Sequence, residues 1–327
     1  MNSFKYSTAK QPSDAVAMLA KNDSAAFLGG GTNLLDLMKE HVYNPSEIID
    51  IGRLDLKAIN QTTTGVTLGA LANNTDTAQH PVIRKDYPIL SRAILAGASA
   101  QIRNMATNGG NLLQRTRCSY FYDISMPCNK RLPGSGCAAM EGFNRMHAIF
   151  GWSDKCVSVY PSDMAVALSA LHASVKVLQL NGAERVINFD DFHVLPGNNP
   201  EKDNTLTYGE LITSIEIPRN NFASHSAYIK VRDRNSYAFA LVSVAAGLEM
   251  EGNRIDAAHI SMGGVAHKPW RALKAEQYLQ GKPATPAHFR KAAEEEMNAA
   301  RPLSHNKFKV EMGINTITSA LQMAHKG

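Results

Sequence analysis

Four cysteines, Cys118, Cys128, Cys137 and Cys156, fall within 39 residues of a 327-residue chain that contains no others. Thiols recruited singly for packing would be scattered. Grouped thiols in a large chain point to a metal or redox centre before disulfides. The spacing is Cys118-x9-Cys128-x8-Cys137-x18-Cys156. It contains no short zinc knuckle and neither of the common ferredoxin runs, so spacing alone does not name the metal. Four thiolates suffice for one [4Fe–4S] cluster and no more, with zinc, or a loop of unmetallated thiols, as the alternatives. The segment is rich in Gly, Pro and aromatic residues (Tyr120, Phe121, Tyr122, Pro127, Pro133, Gly134, Gly136), which suits a loop that wraps a group and keeps water off it. Arg115, Arg117, Lys130 and Arg131 would offset cluster charge, or else form a solvated face.

A second kind of chemistry is written in glycine. Gly29-Gly30-Gly31-Thr32-Asn33 separates an apolar tetrapeptide from a helix-like run. Consecutive glycines let the backbone approach a ligand closely, and free amides before a helix attract anions. A diphosphate is the natural ligand, although a plain tight turn would use the same residues. The loop is not a dinucleotide fingerprint of the G-x-G-x-x-G kind, because the third glycine would fall at Leu34. Nor is there a phosphate loop of the G-x-x-x-x-G-K kind: Gly281-Lys282 has Glu276 where the first glycine belongs. A second loop, Thr107-Asn108-Gly109-Gly110-Asn111, has a similar make-up. Two such loops can hold the two ends of one dinucleotide.

The elements that must position these loops follow from periodicity and turn residues. Residues 5–6 start a strand, Ser13 reads as the N-cap of a helix over 15–20, and residues 25–28 and 47–51 are strands, together a βαβ-like unit. A second region runs from a strand at 65–70 through a helical stretch at 87–98 into 102–113, which holds the second glycine pair. After the cysteine segment it continues with a helix at 163–172 capped by Ser162. Strands follow at 174–180 and 184–187, turned at Asn181-Gly182, and the region closes at 211–217. The final third predicts three strands (227–231, 237–250, 255–262) turned at Gly252-Asn253. Three helices (271–279, 286–300, 312–324) follow them, an α+β arrangement with helices on one face of an antiparallel sheet.

Bulk properties narrow the function class. The chain is 44% hydrophobic and 19% charged, enough for two or three packed domains and too ordered for wholesale disorder. Its net charge of +5 is not gathered into a basic stripe, so a nucleic-acid binder is not expected. The longest strongly apolar stretch, 237–248, is too short to span a bilayer, and residues 1–10 carry no export signal.

Several segments, in order, resemble one family. Phe27-Leu28-Gly29-Gly30-Gly31-Thr32-Asn33-Leu34 followed by Thr107-Asn108-Gly109-Gly110-Asn111 look like the paired FAD loops of the xanthine dehydrogenase and aldehyde oxidoreductase flavoproteins. Pro161-Ser162-Asp163-Met164 resembles that family's Ser-Asp motif, and Ser214-Ile215-Glu216-Ile217-Pro218 its closing strand. Lys230-Val231-Arg232, the run 236–246 and Gly263-Gly264-Val265-Ala266-His267 resemble the signature of its C-terminal domain. Any one motif is weak; the ordered set is specific and spans nearly the whole chain.

The resemblance implies a two-subdomain FAD-binding fold of the PCMH/vanillyl-alcohol-oxidase type over residues 1–221, with subdomains at 1–55 and 56–221. It implies an iron–sulfur loop insertion at 115–160 and a CO-dehydrogenase-flavoprotein-like domain over 222–327. It implies FAD held by both loops, with Asp163 accepting a hydrogen bond from the cofactor and Ile212 packing near the adenine. Lys230 would sit near the flavin, where its charge would favour the reduced anionic form. Taken alone, Asp163 reads as a helix first-turn acid and Lys230 as a solvated strand-end lysine. The inserted cysteine segment resembles the [4Fe–4S] loop of the family's periplasmic aldehyde-oxidoreductase branch, and more loosely that of 4-hydroxybenzoyl-CoA reductase.

No cysteines remain for [2Fe–2S] clusters, and the chain lacks the length of a molybdopterin subunit. The resemblance therefore implies that those centres sit on partner chains, a [2Fe–2S] subunit and a molybdopterin-cofactor subunit, with electrons passing through FAD to an external acceptor and no catalytic acid or base in this chain. Export folded, with a signal-bearing partner, would place it in the periplasm; the alternative is the cytoplasm. Two rival functions are a self-contained flavin oxidoreductase of the same fold and a non-catalytic iron–sulfur scaffold.

Overall fold

A computed structural model describes all 327 residues, Met1–Gly327. Three sheets are laid down in chain order. The first is small and parallel: Lys5–Thr8 and Ala25–Leu28 flank Glu47–Asp50. Parallel neighbours need crossovers, which the helices Pro12–Leu19 and Leu34–Lys39 supply. The first helix starts differently from the expectation. Pro12 takes the first helical position and Gln11 is the N-cap, so Ser13 lies inside the helix. Proline is favoured there because its missing N–H would have no partner in any case.

The second sheet is antiparallel, in the spatial order Ile59–Gln61, Gly65–Gly69, Leu211–Pro218, Ser174–Leu178, Glu184–Asn188. The last two strands form the hairpin expected at Asn181-Gly182, with Gly182 at φ 81°. Between Gly69 and Ser174 the chain builds the helical layer that covers this sheet. The stretch 102–113, which holds the second glycine pair, falls across two short helices, Ala100–Met105 and Asn108–Leu112. It is broken where Thr107 becomes an N-cap and its hydroxyl accepts the Gly110 N–H. That break puts the second glycine loop at a helix start instead of inside a helix.

The third sheet has four strands, not the three expected: Trp270–Arg271, Arg254–Gly263, Val242–Glu251, Ser226–Val231. The extra edge strand pairs only Trp270 with Met262 and Arg271 with Ser261, too short a run to leave an alternating pattern. The long strand begins at Val242 rather than Tyr237. Residues 237–241 instead run as irregular chain, with Tyr237 in the left-handed region at φ 51°. Helices Leu273–Leu279, Pro286–Met297 and Phe308–Lys326 pack on this sheet.

One apolar core sits in each layer, and the second crosses between sheets. Ala245 of the long strand belongs to the core formed by Val175, Ile215 and Leu168. No helix is long and apolar enough to cross a membrane.

Candidate functional site

A cleft of about 870 Å³ opens where the two glycine loops meet the third sheet. Phe27, Gly29, Gly30, Gly31, Thr32, Asn33 and Leu34 line one wall; Thr107, Gly110 and Asn111 line another. The loops touch each other. A Cβ on Gly30 would stand 1.8 Å from the Met105 carbonyl oxygen, and one on Gly29 3.1 Å from Thr107 Oγ1. Gly31 adopts φ 72°, which a side chain would strain. Glycine is thus required first for the approach of one loop to the other.

The wall is equipped for an anion. The amides of Gly29 through Asn33 have no backbone acceptor. The helix that follows, Leu34–Lys39, is only six residues, so these loop amides, and not a long helix dipole, are the available donors. Asn33 Oδ1 accepts the Arg115 N–H at 2.8 Å, which turns Nδ2 away; Nδ2 is buried without a partner. Arg103, Arg115, Arg117, Lys230 and Arg234 line the cleft against Asp36, Asp163 and Asp233, an excess of two positive charges. An orphaned buried N–H and surplus positive charge fit a diphosphate.

Opposite the loops lies a buried ion pair. Lys230 Nζ is 2.8 Å from Asp163 Oδ2, and both side chains are under a tenth exposed. Tyr228 donates to Asp163 Oδ1 at 2.6 Å, and Lys230 also donates to the Ala96 carbonyl at 3.1 Å. Burial, then the Asp163 carboxylate, push the Tyr228 phenol well up, so it stays a donor. Ser162 caps the helix Asp163–Ala170 and donates to Asn111 Oδ1, joining this corner to the second loop.

The cysteine segment closes on itself nearby. All four thiols line one small internal cavity, together with Thr116, Lys130 and Ser158. Cys128 and Cys137 face each other across an isolated antiparallel bridge, and Cys156 is bridged to Ser153. The sulfurs are gathered without forming a ready ligand set of three or more. Burial pushes the Cys118 thiol up to about 12. The neighbouring Cys137 thiol, and then His267 and Lys130, favour the Cys156 thiolate, while Cys156 and burial push the Cys137 thiol up. Four soft sulfurs around one small cavity are the donor type that iron–sulfur clusters and zinc take, although they do not stand here as a formed ligand set.

Residues 2–220 match the family described as FAD binding domain in molybdopterin dehydrogenase, and residues 226–324 match the CO dehydrogenase flavoprotein C-terminal domain. The chain belongs to the FAD-binding subunits of the molybdopterin dehydrogenases. Among curated relatives, it is 46% identical over 326 residues to the aldehyde oxidoreductase FAD-binding subunit PaoB of Escherichia coli (strain K12), covering 99% of each chain. It is 28% identical over 280 residues to the glyceraldehyde dehydrogenase medium chain of Sulfolobus acidocaldarius, covering 85% of this chain and 82% of that one. The fold is that of a chain of the carbon monoxide dehydrogenase from Hydrogenophaga pseudoflava, with a TM-score of 0.78 at 23% identity, covering 99% of this chain and 98% of that one.

Within this flavoprotein the expected site residues separate into two groups. Those named above line the cleft. Leu28, Asn108, Gly109 and Ile212 do not. Asn108 is fully buried, donating to the Gly69 carbonyl and Thr77 and accepting from Asn74. Ile212 belongs to the core, 3.7 Å from where a Cβ on Gly109 would lie, so it supports the loop from behind and has no face on the cleft.

Two expected charges also work differently. The positive charge of Lys230 is matched by Asp163, so the cleft faces an ion pair and not a bare cation. Lys130 is not solvated: its side chain is 1% exposed and paired with Asp203, to which Arg115 also pairs. Burial works against the Asp203 carboxylate, but Lys130 and Arg115 outweigh it and hold its pKa down. Sequence reasoning missed Tyr228, Asn74, Arg103, Asp203 and the histidines beside the thiols. The only signal for any of them was His267 in its glycine-led motif.

Proposed function

We propose that this chain is the electron-transferring FAD subunit of a heterotrimeric molybdenum-dependent aldehyde or xanthine-type dehydrogenase, and that it also holds a [4Fe–4S] cluster. The FAD diphosphate would lie on the Gly29–Asn33 amides and Asn33 Nδ2, with Thr32, Phe27 and Leu34 beside it. Thr107, Gly110 and Asn111 would bound its other side, supported from behind by Leu28, Asn108, Gly109 and Ile212. The Asp163–Lys230–Tyr228 group would face the flavin with fixed dipoles. Bound FAD supplies the ability to take up two electrons and release them singly or as a pair. The chain's own contribution is to hold, orient and shield; no side chain is assigned as a general acid or base.

Cys118, Cys128, Cys137 and Cys156 are the four cluster ligands of this reading. What supports it is their convergence on one cavity in spite of spacings of 9, 8 and 18 residues. Substrate oxidation belongs to a molybdopterin-cofactor partner, and a [2Fe–2S] partner passes electrons on to FAD here. An external acceptor takes them away. Aldehyde is favoured as the substrate class by the 46% identity to the aldehyde oxidoreductase subunit. We infer a periplasmic location by co-export with a signal-bearing partner, and a domain division at 1–221 and 222–327 with the cysteine insertion at 115–160.

The observation that carries the flavin reading is the run of five loop amides, Gly29 to Asn33, without a backbone acceptor on the cleft wall, with Asn33 Nδ2 also unpartnered. The test is to purify the full chain and release its cofactors. One FAD and about four iron atoms per chain are expected. Cys128→Ser should lose iron and keep most of its FAD. A colourless, folded, zinc-replete protein would overturn both halves, and wild-type iron content in Cys128→Ser would remove that residue from the ligand set. Co-purification with two partner chains is expected; a lone chain that oxidises substrate would make it a self-contained flavin oxidoreductase.

A further inference from the structure

Two buried histidines close on the cysteines from different parts of the chain. His147 Nε2 lies 3.1 Å from Cys118 Sγ. His267 Nε2 lies 3.2 Å from Ser158 Oγ, and Ser158 Oγ lies 3.4 Å from Cys156 Sγ. Both rings are 5% exposed, and the Nδ1 atom of each is buried with no protein partner. The ring's only polar engagement, in each case, is the one that leads to sulfur.

Neither ring is placed by chance packing. The His147 carbonyl accepts from Asn306 Nδ2 at 3.1 Å and from Lys309 Nζ at 2.9 Å, and its amide donates to the Asn144 carbonyl at 3.1 Å. Lys309 Nζ also donates to the Gly264 carbonyl at 2.8 Å. His267 follows Val265 and Ala266, whose carbonyls accept the amides of Ile149, Phe150 and Tyr160. The C-terminal third of the chain therefore braces His147 inside the inserted segment and brings His267 up against it.

We propose that His147 directly, and His267 through Ser158, are hydrogen-bond donors to the Cys118 and Cys156 sulfurs and set the reduction potential of the cluster those sulfurs hold. The inference rests on the cluster reading above. A ligating thiolate has no proton to give, so a close polar contact to it must come from the neighbour's N–H or O–H. That requires the His147 tautomer with its proton on Nε2, and a Ser158 hydroxyl that donates to Cys156 while accepting from His267. Adding one electron to a cluster increases the negative charge on its sulfurs. Donors that point at sulfur therefore stabilise the reduced form more than the oxidised one, and raise the potential. Both histidines are positioning residues: His147 touches a ligand, His267 reaches one through Ser158, and neither touches an electron donor or acceptor.

The experiment is a potentiometric titration followed by electron paramagnetic resonance on the full chain, purified anaerobically with its partners. The variants are His147→Phe, His147→Gln and Ser158→Ala, with iron and FAD measured in each sample. At a fixed potential, His147→Phe should show about a tenfold lower ratio of reduced to oxidised cluster, equal to about 59 mV for one electron. Ser158→Ala should shift the same way by a smaller factor. His147→Gln, which keeps an N–H, should recover most of the loss, while the flavin potential stays at its wild-type value. Iron-replete variants that titrate with the wild type would overturn the inference. If His147→Phe does not fold, Ser158→Ala and His147→Gln decide: unchanged in Ser158→Ala and lowered as far as full donor loss in His147→Gln would overturn it. A wild type without iron or a cluster signal would instead overturn the cluster reading itself.

Discussion

At the scale of single residues, Gly30 is the sharpest constraint in the cleft. The nearest atom to a Cβ there is a main-chain oxygen, Met105 O at 1.8 Å, which cannot swing aside as a side chain could. Gly30→Ala is therefore expected to push the two loops apart, at a cost of about 1–3 kcal/mol. FAD occupancy should fall with stability, and a variant that keeps full FAD at wild-type Tm would count against loop-to-loop contact as the reason for glycine. The buried pair behaves differently. Removing Lys230 alone leaves Asp163 charged, buried and supported only by Tyr228. Lys230→Met should cost about 3–5 kcal/mol, whereas Lys230→Met with Asp163→Leu should be clearly less damaging, because no lone charge remains. Denaturant unfolding of the three proteins measures this; equal losses in single and double variants would deny the coupling. The sequence could supply the loops but not the pairing. Nothing local to Asp163 or Lys230, 67 residues apart, says that they meet.

At the scale of elements, the legible parts were those with local causes. The hairpin at Asn181-Gly182 and the cap at Ser162 follow from residues within a few positions, and both stand in the structure. The misread parts have distant causes. Trp270–Arg271 is a strand only because Arg254–Gly263 offers its edge, and residues 237–241 are irregular although they are as apolar as the strand they precede. The long helix Phe308–Lys326 carries a further non-local feature, the fully buried Lys309. Burial, and then Arg145, push its ammonium down from 10.5 to about 7. The unfolded chain thus holds this proton to higher pH than the native protein does, so stability rises with pH between about 7 and 10.5. Below about 7 both states are protonated and this contribution is flat. The difference in Tm between wild type and Lys309→Met should move in favour of the wild type from pH 7 to pH 9. A difference independent of pH would mean that Lys309 keeps an ordinary affinity for its proton.

At the scale of the whole molecule, the cleft is not the property of its first 221 residues. Lys230, Asp233, Arg234 and Phe239 line it from beyond that point, and the Asp163 carboxylate finds both its partners, Tyr228 and Lys230, there. The packing tells the same story: a Cβ on Gly263 would come within 2.6 Å of Val166 Cγ2, so the third sheet lies directly on the helix Asp163–Ala170. The fragment 1–221 would expose that helix and leave Asp163 without its cation. Expressed alone, it should retain less than about a tenth of the FAD of the full chain, since the lost ion pair and lost apolar cover together exceed the few kcal/mol that keep a domain folded. Adding the fragment 222–327 in trans should restore part of the occupancy if each fragment keeps its own core. Stoichiometric FAD on the isolated 1–221 fragment would mean that the two glycine loops suffice, and that the contribution of the C-terminal third lies elsewhere, at His267 and the Val265 and Ala266 carbonyls beside the cysteine segment.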